Sequence, residues 1–191
     1  KDALKATLNV SIAASTDALL LDLRKGELDI VVINVSNAPR EGLVQEPLWE
    51  DEFVVYASVR HRLARRRSVA LADLVQERWA STAASGMLAW NSLQRTFEER
   101  GLPAPQFALV SDSGVLNRQM VASLNLLGIA PRRSVEPNAA QLGLKTITVS
   151  DVNWIRPVAV VYRKDGYLSP MAGRFIEILK AIAKGIAAGK T

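Results

Sequence analysis

The 191-residue sequence predicts an α/β fold in two halves, and three observations support that prediction. Segments typical of strands and helices alternate along the chain. The order strand, helix, strand occurs before the arginine-rich stretch at residues 60–67 and again after it. Hydrophobic residues make up 49% of the chain, which is enough to build a substantial core. We therefore expect a mostly parallel sheet with helices packed on it in each half.

The first half contains one strand–helix–strand unit. Residues 8–12 alternate apolar and polar side chains, which is typical of a half-buried strand. Polar side chains at residues 15–17 supply helix-capping oxygens, and leucines at helical spacing follow as far as Gly26, a natural helix end. Residues 29–33 are continuously apolar after the first, which predicts a parallel strand covered on both faces.

The remaining elements follow the same alternation. Residues 43–48 and 53–58 predict two strands separated by an acidic turn at residues 50–52. The clearest helix spans residues 86–100, where apolar residues recur at helical spacing before a glycine. Further strands are predicted at residues 78–82, 107–110, 126–130, 145–149 and 157–162, and further helices after Ser113, from Pro131 and over residues 168–184.

The composition excludes several classes of function. The chain has no cysteine and a single histidine, His61. Disulfides, cysteine-ligated metals and thiol nucleophiles are therefore excluded, and a reducing cytoplasm suits such a chain. The sequence contains no glycine-rich phosphate loop, no paired histidines at metal spacing and no G-x-S-x-G elbow. We expect a protein that is not an enzyme, binds no metal or cofactor, and does not cross the membrane.

Part of the net charge of +5 is concentrated in one short segment. Five arginines fall within eight residues, at Arg60, Arg62, Arg65, Arg66 and Arg67. Such a run is either a patch that contacts phosphate groups or a solvated loop, and charge clusters of this length usually face water. No aromatic residue interleaves with it to stack nucleic-acid bases. We favour the solvated loop on the sequence alone.

Hydroxyl side chains recur at three predicted strand-to-helix turns. They are Ser15 and Thr16, then Ser81, Thr82 and Ser85, then Ser111 and Ser113. In an open α/β sheet these turns lie at the carboxyl ends of strands, where helix N-termini offer free N–H groups and partial positive charge. For any one of these residues taken alone, helix capping is the favoured explanation. If the fold brings the three turns together, they predict an anion-binding cleft.

Six motifs in a fixed order add a family resemblance. They are STDALLLDLRKGELDI at residues 15–30, EPLWEDEFVV at 46–55, HRLA at 61–64, LADL at 71–74, GIAP at 128–131, and YRKD with YLSP at 162–170. Together they resemble the effector-binding domain of LysR-type transcriptional regulators over nearly the whole chain. Two departures are Arg62 in place of the family's usual proline, and a longer turn at residues 122–129 that lacks the family's first glycine.

The resemblance implies a type 2 periplasmic-binding-protein fold, with two Rossmann-like α/β subdomains joined by two crossing strands. Subdomain I then comprises residues 1–57 and 158–191, and subdomain II comprises residues 58–157. A small effector, often a carboxylate in this family, is expected between them. The implied ligand-binding residues are Ser15, Thr16, Asn34, Ser81, Thr82, Ser85 and Ser113.

The same resemblance implies a role in transcription regulation. The family's first strand and its N-terminal winged helix-turn-helix have no counterpart in this sequence, so we expect DNA binding to belong to a separate region. The expected partners are a small-molecule effector and further copies of the chain, as a homodimer or tetramer, in the cytoplasm. The apolar stripes at residues 19–23 and 120–124 are either core or faces for such an assembly.

Two other functions share this fold. A solute-binding protein of a transporter is the main alternative, and a signal peptide upstream in the gene would distinguish it. An enzyme such as a dehydratase or lyase is the other, but the sequence offers no candidate catalytic acid or base for it.

Overall fold

The computed structural model describes residues 7–12, 15–35, 40–81, 88–111, 113–150 and 152–187. The helices are α1 (Thr16–Lys25), α2 (Leu88–Glu99), α3 (Gly114–Ser123), α4 (Arg132–Leu142) and α5 (Pro170–Ala187). The strands are β1 (Val31–Asn34), β2 (Leu43–Ser58), β3 (Arg78–Ser81), β4 (Gln106–Val110), β5 (Leu127–Pro131), β6 (Leu144–Ile147) and β7 (Ile155–Arg163). Short 3-10 helices at Arg62–Arg65 and Leu71–Leu74 lie between β2 and β3 in the sequence. The predicted α/β alternation is present.

The chain divides into two compact units. Unit 1 is drawn from Lys1–Glu50 and Arg156–Thr191, and unit 2 is Asp51–Ile155. Strand β2 passes from unit 1 into unit 2, and β7 starts at the second boundary, so the chain crosses between the units within strands. The subdomain limits after residue 57 and before residue 158 differ slightly from these boundaries and stay a prediction.

In unit 1, α1 packs against β1. The buried face of α1 is formed by Leu20 and Leu23, and the helix ends at Gly26, whose left-handed backbone (φ 83°) closes the last turn. The chain then reverses into β1, which pairs antiparallel with β7. The core of the unit comprises Leu20, Leu23, Val31, Ile33, Val35, Leu43, Ala159 and Val161.

In unit 2, a mixed sheet lies between two apolar layers. Strand β2 pairs antiparallel with β5 and β6, and β3 pairs parallel with β4 and β5. Successive β2 side chains alternate between the layers, with Phe53 and Val55 in one and Val54 and Tyr56 in the other. Helix α2 contributes to the first layer, and α3 and α4 contribute to the second. Helices therefore cover both faces of this sheet.

Residues 8–12 do not form a strand, which corrects the prediction from their alternating pattern. Their apolar side chains are exposed, at 61% for Leu8, 74% for Val10 and 97% for Ile12. A strand exists only where a neighbouring strand accepts and donates its backbone hydrogen bonds. An alternating pattern reports which side chains are apolar and carries no information about that neighbour.

Two further strand predictions are corrected. The acidic residues 50–52 do not form a turn, because β2 runs unbroken through them as a 16-residue strand. Strand β1 is antiparallel rather than parallel, and one of its faces is partly open, with Val32 41% exposed. Helix α1 packs on the face that carries Val31 and Ile33, and Val32 points to the other face. The sheet pairings are therefore mixed rather than mostly parallel.

Candidate functional site

The predicted site residues of unit 1 lie at one end of the unit. Helix α1 and strand β1 are joined by the short turn at Gly26 and run in opposite directions. The start of α1, with Ser15 and Thr16, therefore lies at the same end as Asn34, the last residue of β1. A helix N-terminus and the end of a strand thus lie at the same end of the unit, which is the arrangement that anion sites of α/β folds use.

The N-terminus of α1 keeps hydrogen-bond donors available. Ser15 occupies the N-cap position with extended backbone (φ −119°, ψ 128°), but its side chain accepts no capping hydrogen bond from the first turn. N–H groups of the first turn thus lack the acceptor that a capping serine normally supplies. Asp17 places a carboxylate in the same turn. This negative charge offsets part of the positive end of the helix dipole and therefore competes with a bound anion for the same N-terminus.

Asn34 carries a donor without a partner. Its Nδ2 atom is buried and makes no hydrogen bond within the described residues. A buried amide donor without an acceptor costs about 1–3 kcal/mol, so such groups call for an explanation. A ligand oxygen at this position would satisfy it.

The predicted site residues of unit 2 belong to a second polar cluster. Because β3 and β4 are parallel neighbours, both end at the same edge of the sheet, with Ser81 opposite Val110. The backbone N–H of Ser111 donates to the carbonyl oxygen of Ser81 over 3.0 Å. The Ser111 hydroxyl in turn accepts the backbone N–H of Ser113 over 3.1 Å. The structure therefore brings Ser81, Ser111 and Ser113 together.

The Ser113 side chain caps α3. Its hydroxyl oxygen accepts the backbone N–H of Leu116 over 3.2 Å, so the capping explanation holds for this residue. Of the other predicted unit 2 residues, Thr82 and Ser85 lie outside the described residues. Among the described residues of this cluster, Ser113 therefore serves as a helix cap, and a ligand-binding role for Ser81 and Ser113 stays a prediction.

Asn117 is a polar residue of this cluster that sequence reasoning missed. It is 4% exposed, its Nδ2 lies 3.5 Å from the carbonyl oxygen of Ser111, and its Oδ1 has no partner within the described residues. Asn117 shares a helix face with the buried Val121, four residues later. The sequence did carry a signal for it, because Asn117 is a polar residue on the apolar stripe of an amphipathic helix.

Neither a metal site nor a membrane span is found in the described part of the chain. Within the ranges given above, no group of three or more His, Asp and Glu side chains is arranged to hold a metal ion. None of the helices there is both long and apolar enough to cross a membrane. The hydroxyl, amide and backbone N–H groups of the two polar clusters can bind a ligand by hydrogen bonding.

Comparison with protein families decides the assignment. The family model described as the LysR substrate binding domain matches residues 5–184. The chain belongs to this family. The family assignment made from the six sequence motifs is therefore confirmed.

Individual relatives agree with the family. The RuBisCO operon transcriptional regulator of Allochromatium vinosum is 26% identical over 164 residues, covering 85% of this chain and 53% of that protein. The chain thus spans about half the length of the curated relatives it matches.

Two solved structures show the fold. The regulatory domain of CcmR from Synechocystis PCC6803, in complex with 2-PG, has a TM-score of 0.79 at 18% identity and covers 90% of this chain and 81% of that one. The effector binding domain of QuiR, in complex with shikimate, has a TM-score of 0.75 at 19% identity, covering 89% and 78%. The predicted α/β fold of the periplasmic-binding-protein type is confirmed.

Proposed function

We propose that this LysR substrate binding domain is the effector-sensing domain of a bacterial transcriptional regulator. The observation that carries the proposal is the family match across residues 5–184. The RuBisCO operon relative is itself a transcriptional regulator, which favours this role over an enzyme or a transporter's solute-binding protein. The domain acts in the cytoplasm without a metal or cofactor, and DNA is bound by a separate helix-turn-helix region.

The effector we propose is a small carboxylate. The first turn of α1 offers N–H groups that Ser15 leaves uncapped, and Asn34 offers a buried amide donor. Helix N-termini and amide donors hold a carboxylate without a full opposing charge. The CcmR and QuiR domains, each solved with a small molecule, support an effector of this size. The proposed ligand-binding residues are Ser15, Thr16, Asn34, Ser81, Thr82, Ser85 and Ser113.

The mechanism is a shift between conformations rather than a chemical reaction. An effector that binds one conformation of the domain more tightly raises the population of that conformation. The effector then changes the affinity of the regulator for DNA, and the size of that change is the coupling free energy. By linkage, DNA changes the affinity for the effector by the same factor.

The domain is also proposed to self-associate as a homodimer or tetramer. The two apolar stripes named from the sequence are each divided in the structure: Leu20, Leu23 and Val121 are core, whereas Leu21 and Leu124 are about half exposed. Exposed apolar side chains at these two positions favour contact with another copy. Sedimentation at rising protein concentration tests this, and a monomer at every concentration would rule it out.

Effector binding is tested by isothermal titration of a panel of small carboxylates. Replacing Thr16 by Val keeps the side-chain shape and removes the hydroxyl, and should weaken binding by about 0.5–1.5 kcal/mol without changing the melting temperature. Thr148→Val is a matched control, because Thr148 is an exposed threonine of unit 2. Equal affinities for wild type and Thr16→Val would remove Thr16 from the site. No heat with any carboxylate would overturn the ligand class.

A further inference from the structure

The arginine turn, defined here as residues 60–67, is a surface that effector sensing does not use. It contains the 3-10 helix Arg62–Arg65 of unit 2. All five of its arginines are exposed, whereas Leu63 and Ala64 between them are buried. The apolar side chains thus anchor the turn, and the arginines project from it.

Two side-chain hydrogen bonds hold the backbone of the turn. The Nδ1 atom of His61, whose side chain is fully buried, accepts the backbone N–H of Leu63 over 3.2 Å. From a distant part of the chain, Lys145 Nζ donates to the carbonyl oxygen of Ala64 over 2.7 Å. A surface that is ordered before binding loses less entropy when a partner arrives.

The charges of the turn are only partly neutralised. Arg62 pairs with Glu77, and Arg66 pairs with Asp73 at 3.0 Å. The other three arginines, Arg60, Arg65 and Arg67, have no ion-pair partner within the described residues. Side chains three apart in a 3-10 helix lie above one another, so Arg65 lies beside Arg62. The turn therefore presents an excess of closely spaced positive charge.

The side chains of the turn favour phosphate groups over a protein surface as the binding partner. The planar guanidinium group binds phosphate oxygens through paired hydrogen bonds. Protein partners need an apolar centre, but Leu63 and Ala64 are buried, and Val59 beside the turn is a single half-exposed apolar side chain. Protein–DNA interfaces are polar and strongly positive, as this surface is.

We propose that the arginine turn binds the phosphate backbone of duplex DNA without sequence preference. The turn has no aromatic side chain to stack bases and no long helix to enter a groove. It therefore adds non-specific affinity, and does not read sequence. This contact is separate from the DNA recognition that the proposed function assigns to another region.

The test compares two triple variants by fluorescence anisotropy with a labelled duplex. Arg60→Gln, Arg65→Gln and Arg67→Gln together remove the three unpaired charges of the turn. Arg78→Gln, Arg133→Gln and Arg174→Gln make the same charge change at exposed positions elsewhere in the chain. Melting temperatures of all three proteins should agree, because none of the replaced side chains is buried.

Three phosphate contacts give a salt slope of about −2.7, so wild-type affinity should fall about 40-fold between 50 and 200 mM salt. The turn variant should lose at least about tenfold in affinity at 50 mM salt and most of that slope, whereas the control should stay within about threefold of wild type. Equal losses in both variants would mean that net charge alone acts, and would overturn the site.

Two further arms test the partner. Duplexes of unrelated sequence should bind with equal affinity, and a tenfold preference for one would overturn a pure backbone contact. Polyglutamate serves as an acidic polypeptide competitor. If it binds the wild-type protein more tightly than duplex does, the turn is a protein-binding surface and the DNA proposal is wrong.

Discussion

The phenol ring of Tyr56 covers Gly128, its cross-strand partner on β5. A Cβ atom on Gly128 would lie 2.3 Å from Cζ of Tyr56, far inside van der Waals contact. Tyr56 is 3% exposed and packs in the core layer formed with α3 and α4, so its ring has no room to move aside. Space, rather than an unusual backbone angle, requires glycine at position 128.

Gly128→Ala should therefore destabilise the protein by about 1–3 kcal/mol, because overpacking a core forces side chains and backbone to shift. Gly173→Ala is the matched control on α5, where an added Cβ meets no atom within 4 Å. It should stabilise the helix by about 0.5–1 kcal/mol. Urea unfolding of both variants measures the difference. Similar effects of the two substitutions would contradict the packing of Tyr56 on Gly128.

Tyr56 also predicts a loss of stability in alkali. Burial raises the pKa of Tyr56 to about 12, whereas a tyrosine in the unfolded chain titrates near ~10. Between these values only the unfolded state gives up the proton, so stability is lost as pH rises from about 10 to about 12, by on the order of 2 kcal/mol. Wild type should lose stability relative to Tyr56→Phe across that range, because the phenylalanine variant has no proton to give up there. A difference independent of pH would contradict the prediction.

The environment of Glu46 predicts that the protein loses stability in acid, as pH falls. Lys180 and Tyr162 both hydrogen-bond its carboxylate, the Tyr162 hydroxyl over 2.8 Å. The hydrogen bond from Lys180 is the main cause that holds the pKa of Glu46 below its usual 4.5. The carboxylate therefore contributes stability above about pH 4.5, and this is lost as pH falls through its folded-state pKa.

Thermal unfolding from pH 7 to pH 3 measures this contribution. The wild type should be more stable than Glu46→Gln at neutral pH, and the two should converge in acid. Glu50→Gln, an exposed change on the same strand, is the control and should stay parallel to wild type. A Glu46→Gln curve parallel to wild type would exclude the role of the Lys180 pair.

His61 is predicted to stabilise unit 2 in two ways. Its Nδ1 caps Leu63, and its Nε2 lies 3.2 Å from Oε2 of the buried Glu77, without the alignment of a hydrogen bond. His61→Phe removes both contacts and should cost about 1–3 kcal/mol. His61→Asn keeps an oxygen that can accept the Leu63 N–H, so it should recover part of the loss. Chemical denaturation distinguishes the variants, and wild-type stability for His61→Phe would refute both roles.

Local chemistry in the sequence determined the helices and the family. The C-terminal glycine of α1 and the capping serine of α3 act within a few residues of the helix ends they define, so their effect is visible in the sequence. The hydroxyl residues at strand ends were found in the same way. Of these, Ser81 and Ser113 do come together at the edge of the unit 2 sheet.

Only the tertiary structure decided how the strands pair and which polar atoms lack partners. Strand β2 is continuous and β1 is antiparallel because strands distant in sequence supply their neighbours, which no local pattern encodes. The unpaired donor of Asn34 and the burial of Asn117 likewise depend on packing against other elements. Alternation at residues 8–12 predicted a strand, but hydrogen bonding to a neighbour makes a strand, and the local sequence does not specify that neighbour.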